Sequence, residues 1–99
     1  MDFKIEQEDD SKRGMFFAKK GEKPAGILSY IWSDNKHMVV YFTESLNGFE
    51  GQGVEQDLVD AACSYARSRE VKIVPVSSLA KSAIIRNSEK YSDVIETAE

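Results

Sequence analysis

The chain has 99 residues, 41% hydrophobic and 30% charged, which bounds it to one small globular domain and excludes a disordered or fibrous class. A formal net charge of −4 and a pI near 5.0 argue against a binder of phosphate backbones, so no nucleic-acid partner is expected. A single cysteine, Cys63, excludes an intramolecular disulfide framework and fits a reducing, cytoplasmic setting.

At the N-terminus Phe3 and Ile5 alternate with polar residues, the period of a short edge strand. The acidic start MDFKIEQEDD does not read as a secretory leader. DDSKRG is a turn, and MFFAKK a second strand closed by the turn GEKPAG. AGILSYIW and HMVVYFTE, parted by SDNK, are rich in β-branched and aromatic residues and predict two further strands. Up to Glu44 the pattern is an antiparallel meander.

From Val54 the period changes. Val54, Leu58, Ala61 or Ala62, and Tyr65 mark one face of a helix running to about Arg69. Glu55 and Asp57 in its first turn and Arg67 and Arg69 in its last suit the helix dipole. VKIVPV predicts a buried strand, and SLAKSAIIRN a second helix capped by Ser77 or Ser78. SEKYSDVIETAE is a polar tail, frayed from 91 to 99, with Tyr91, Val94 and Ile95 as anchors. Four strands, a helix, a strand and a helix make an α+β, or three-layer α/β, domain spanning 1–99. No apolar run approaches the roughly 20 residues that cross a bilayer, so no membrane partner is expected. One His and one Cys without ligand spacing point to no metal.

Between the fourth strand and the first helix lies FEGQGVEQDLV, residues 49–59. Gly51, Gln52 and Gly53 let a turn bare its N–H groups where a helix starts, a place that attracts an anion. Glu50, Glu55 and Asp57 crowd the same spot with negative charge.

This order, with a G-Q-G turn before the helix, resembles the acyl-CoA-binding core of GNAT-type N-acetyltransferases, and more closely a short single-domain branch of them. The likeness runs from about Phe16 to Val94 and rests on YFTES, EGQGVEQDLVDAACSYAR, VKIVPVSSLAK and NSEKYSDV, in that order. The resemblance implies that backbone N–H groups of Gly51, Gln52, Gly53 and Val54, with Glu55 and Gln56 beside them, hold the pyrophosphate of acetyl-CoA. It also sets Lys81 and Asn87 near the nucleotide end, and Phe42, Thr43 and Glu44 beside the thioester.

Departures from the family pattern are specific. Glu50 stands where relatives carry Arg or Gln, and Glu55 where they carry a small residue. Coulomb's law at about 6 Å and ε of 20 to 80 gives roughly 0.7 to 3 kcal/mol of repulsion per carboxylate–phosphate charge pair. Charge-assisted N–H bonds of about 1.5 to 3 kcal/mol each outweigh one such carboxylate but not comfortably two, so weakened binding is expected. Members of the short branch often place His-Thr at the fourth-strand end and Cys at the fifth; Phe42 and Ser77 stand here instead.

Direct transfer from a thioester to an amine needs a base and a donor for the carbonyl oxygen. Glu44 is the acid placed for the first task; a solvated acid at a strand end is the equal alternative. Ser77 is a nucleophile only with a base nearby, and a helix cap otherwise. A buried small residue is the better reading of Cys63, a solvated lysine the commoner one of Lys81, and core or sheet surface that of Tyr30 and Trp32. His37 opens the fourth strand away from this end.

Two functions follow. One is an N-acetyltransferase moving acetyl from acetyl-CoA to an amine acceptor. The other is a degenerate module with weak or no CoA binding that works through a protein partner or a homodimer. The resemblance also implies that the N-terminal helices shaping the acceptor groove in larger relatives are missing, leaving the groove open or completed by a partner chain.

Overall fold

The computed structural model describes residues 3–96. Strands β1 (Lys4–Asp9), β2 (Arg13–Lys20), β3 (Lys23–Asp34) and β4 (His37–Ser45) form an antiparallel meander. After α1 (Val54–Arg69), strand β5 (Lys72–Pro75) joins β4 in parallel, giving the order β1-β2-β3-β4-β5. Helices α2 (Ser78–Arg86) and α3 (Ser88–Tyr91) follow. The α+β order and the mostly antiparallel five-stranded sheet are those expected from the sequence.

Turn chemistry sets the meander's length. GEKPAG is not a long turn: β3 already begins at Lys23, and only Gly21 and Glu22 connect the strands. Gly21, at φ 62, supplies the positive φ that a two-residue hairpin requires. Pro24, which has no N–H to give a ladder, stands opposite Lys19 where the register shifts past Ala25.

The sheet buries one face. Phe16, Ala18, Leu28, Tyr30, Met38, Val40 and Ile73 point from alternate positions into the core. Val59, Ala62 and Cys63 of α1 meet Ala80 and Ile84 of α2 over Leu28, Val40 and Ile73, so both helices cover the same face. The layers therefore number two rather than three. Met15, Phe17 and Ile27 lie half-buried on the other face, with Ile31, Tyr41 and Phe42 exposed.

A frayed tail from residue 91 does not describe residues 91–96. Tyr91 and Val94 are buried, and Ile95 bridges Ile73 in parallel. Ile73 N–H donates to the Val94 carbonyl at 2.7 Å, and Glu96 N–H to that of Ile73 at 2.8 Å. The Tyr91 hydroxyl donates to Asp60 at 2.6 Å and accepts from Gln56 at 2.9 Å. Arg67 holds Asp93 through two bonds, at 2.7 and 2.9 Å. Residues 97–99 of that expected tail lie outside the described residues.

Candidate acyl-CoA site at the parting of β4 and β5

Strand β5 pairs with β4 over only four positions, His37 to Val40. The Val40 carbonyl accepts the last bonds, from Val76 N–H at 2.8 Å and Ser77 N–H at 3.0 Å. Beyond it β4 runs on from Tyr41 to Ser45 with β3 as its neighbour and β5 gone. At the same point Tyr41 forms a bulge: Ser29 pairs with Phe42, and Tyr30 with Val40. The extra residue shifts the alternation, so Thr43 joins Leu28 on the helix face while Phe42 and Glu44 turn to the helix-free face.

The strand's end thus divides the predicted site residues between two faces. Thr43 is 5% exposed, and its Oγ1 is buried with no hydrogen-bond partner. A buried hydroxyl left unsatisfied costs about 1 to 3 kcal/mol, so this one is an open polar contact beside the parting strands. Phe42 is 43% exposed. Glu44 is exposed beside Ile27.

The turn before α1 has the shape the sequence predicts. Gly48, Gly51 and Gly53 all hold positive φ, which favours glycine. Gly53 is the residue before the helix, at φ 83, and α1 has no side-chain cap. The first intrahelical bond at this end is Asp57 N–H to the Gly53 carbonyl, at 3.1 Å, which leaves the N–H groups of Val54, Glu55 and Gln56 as the open first turn. A Cβ on Gly51 or Gly53 would meet nothing within 4 Å, so the backbone is open to an approaching group. Gly26 fixes the helix above the sheet: a Cβ there would come within 2.3 Å of Val54 Cγ1.

A cleft of about 470 Å³ opens at this turn, lined by Gly51, Gly53, Glu55 and Gln56 on one side and Leu79, Ser82 and Arg86 on the other. Arg86 is the residue sequence reasoning missed. It donates from Nε to Gln56 Oε1 at 3.3 Å and brings a positive charge to the cradle. A basic residue seven positions after Leu79, on the same helix face, was the available signal. Glu50 bonds within its own turn: its carboxylate accepts the Gly48 N–H at 3.0 Å. Gln52 likewise returns to its own turn, donating to the Gly48 carbonyl at 3.0 Å.

The remaining residues take other places. Gln56 ties α1 to α2, donating to the Ala83 carbonyl at 3.0 Å as well as to Tyr91. Ser77 is buried and accepts the Ala80 N–H at 3.2 Å, the capping geometry. Lys81 is exposed and does not line the cleft, because Leu79, Ser82 and Arg86 share a different side of α2. Asn87 lines a neighbouring hollow with Arg86 and Lys90. Burial pushes the Cys63 thiol up to about 12, which suits a packed and unreactive side chain. Among the described residues no group of His, Cys, Asp and Glu is placed to hold a metal ion, and no helix is long and apolar enough to cross a membrane.

No curated protein matches the chain. Among solved structures it is similar to the NMR solution structure of a GCN5-like protein from Staphylococcus aureus, with a TM-score of 0.72 and 24% identity. That match covers 99% of this chain and 92% of the other, and it shows the fold. The family model for GCN5-related N-acetyltransferases matches residues 15–94, which takes in most of β2, all of β3 to β5, all three helices, the parting strands and the turn before α1. The chain therefore belongs to the GCN5-related N-acetyltransferase family.

Proposed function

We propose that the protein transfers acetyl from acetyl-CoA to an amine. The observation that carries this reading is the pairing of an uncapped α1 N-terminus with a cleft bearing Arg86, beside the unpaired end of β4. The pyrophosphate sits on the N–H groups of Gly53, Val54, Glu55 and Gln56, where the helix dipole favours negative charge. Arg86 offsets the carboxylate of Glu55. The pantetheine arm runs along the free edge of β4, with the Thr43 hydroxyl as a polar contact.

The amine lone pair attacks the thioester carbon, the new C–N bond forms, the C–S bond breaks, and CoA leaves as its thiolate. Glu44, on the helix-free face, takes the amine proton directly or through water. The acceptor approaches over that face.

Residue-by-residue NMR titration with acetyl-CoA tests the reading. Amide shifts concentrated at Gly51 to Gln56 and Thr43 are expected; scattered surface shifts that spare this turn would overturn it. Arg86→Ala should weaken binding about tenfold, the middle of the range for a cation and a phosphate about 6 Å apart. The alternative, a module with weak or no CoA binding, rests on four departures, Glu50, Glu55, Phe42 and Ser77. The Glu50 bond within its own turn and Arg86 beside Glu55 weigh against the first two.

A further inference from the structure

A second cavity, of about 620 Å³, lies at the other end of the molecule, where the β1–β2 and β3–β4 turns meet the C-terminus of α1. With 16 residues rising about 1.5 Å each, α1 sets Arg69 in this cavity about 24 Å from the helix's first turn. The two sites are separate.

Its charges are unevenly spent. The acids are Asp9 and Asp34, and the cations Lys12, Arg13 and Arg69. Asp9 accepts the Tyr30 hydroxyl at 2.6 Å, Trp32 Nε1 at 2.9 Å and the Ser11 N–H at 2.8 Å. Asp34 accepts the Lys36 N–H at 2.7 Å and His37 Nδ1 at 2.9 Å. Arg69 bonds the Tyr65 hydroxyl at 2.9 Å and lies 5.3 Å from that ring's centre. The side chains of Lys12 and Arg13 make no hydrogen bond or close ion pair among the described residues. Their charges act on the nearby Asp10 carboxylate, adding to the Arg13 and Lys12 backbone N–H bonds that hold its pKa below the usual range. Their donor hydrogens remain open on the wall of the cavity.

Their positions are held. Asp10 accepts the N–H groups of Lys12 and Arg13, both at 2.9 Å, and its own N–H donates to the Arg13 carbonyl at 3.0 Å. Beside them Ile31 is 43% exposed, and Trp32 is half-buried with its indole N–H anchored on Asp9. The wall thus offers an apolar and aromatic surface next to cations with open donors, in a volume typical of small-ligand sites, about 300 to 1,000 Å³.

We propose that this cavity binds a small organic anion with an aromatic or apolar body, its charged end on Lys12 and Arg13 and its body against Ile31 and Trp32. Binding here does not depend on acetyl-CoA.

Trp32 is the chain's single tryptophan, so its emission reports this cavity directly. The full chain is titrated with phenyl phosphate while that emission is followed. A saturable change is expected, with a midpoint about tenfold higher in the double variant Lys12→Ala, Arg13→Ala and higher also when salt rises from about 0.05 to about 0.5 M. Benzylamine, of similar size and opposite charge, should give no saturable change. The salt and benzylamine arms use the unaltered chain and decide the matter even if the variant fails to fold. No saturation by about 10 mM phenyl phosphate, a midpoint unmoved by salt, or an equal response to benzylamine would overturn the proposal.

Discussion

Gly53 shows how much of a site one residue can set. Its φ of 83 turns the chain into α1, and its missing side chain leaves the first-turn N–H groups open. Gly53→Ala should cost about 1 to 2 kcal/mol in urea unfolding, the usual strain of a Cβ in left-handed backbone, and should weaken acetyl-CoA binding as well. Tyr91 is a structural counterpart, 1% exposed with its hydroxyl between Asp60 and Gln56. Burial, and then the bond to Asp60, push its pKa up to about 12. Tyr91→Phe should cost about 1 to 3 kcal/mol, measured the same way, because it removes a hydrogen bond to the charged, half-buried Asp60. The glycines and acids of the turn were legible in the sequence. The direction of Glu50 and the arrival of Arg86 were not: one depends on a local hydrogen bond, the other on a helix that folding brings back from 30 residues away.

At the scale of elements, the sequence conveyed each strand and the two long helices but not α3, because apolar period and turn residues act locally. It named Tyr91 and Val94, both buried, as anchors of the tail, but it did not convey the backbone bridge that docks residues 94–96 on β5. One tie in that docking is titratable. His37 at the start of β4 reaches Asp34 at 2.9 Å and Glu96 at 3.2 Å. The bond to Asp34, aided by Glu96, raises its pKa above the ordinary 6.5. A group whose folded pKa is raised stabilises the fold fully below the unfolded value, and that contribution is lost as pH rises through the folded value. Exchange of the Glu96 N–H, bonded to the Ile73 carbonyl, should therefore gain more protection at pH about 6 than at about 8, after correction for intrinsic rates. His37→Gln should abolish that difference.

For the whole molecule, element order was readable while the number of layers was not. Strands β2 to β4 carry apolar residues on both sides: Met15 and Phe17 against Phe16 and Ala18, Ile27 and Ile31 against Leu28 and Tyr30. Such strands read as covered twice, yet both long helices lie on one face. In the proposed reaction the acceptor amine comes over the helix-free side, and Glu44 is its base. Glu44→Gln should lower kcat about 100-fold or more and leave acetyl-CoA affinity within about twofold, the split expected of a general base. Because the cleft at Gly53 and the cavity at Trp32 stand about 24 Å apart along α1, saturating acetyl-CoA should leave Trp32 emission unmoved.

The bulge at Tyr41 makes the end of β4 depend on strand register rather than on side-chain chemistry. One residue out of step with β3 is what turns Glu44 outward and Thr43 inward. Many side chains at position 41 would preserve that phase. Flattening the bulge with residue 41 retained would invert it, pairing Phe42 with Leu28 and carrying Phe42 and Glu44 toward the helices and Thr43 toward solvent. Deleting residue 41 would instead restore plain alternation with Thr43 still opposite Leu28. Across relatives of this chain, substitution of the bulge residue and its loss should accordingly both be tolerated.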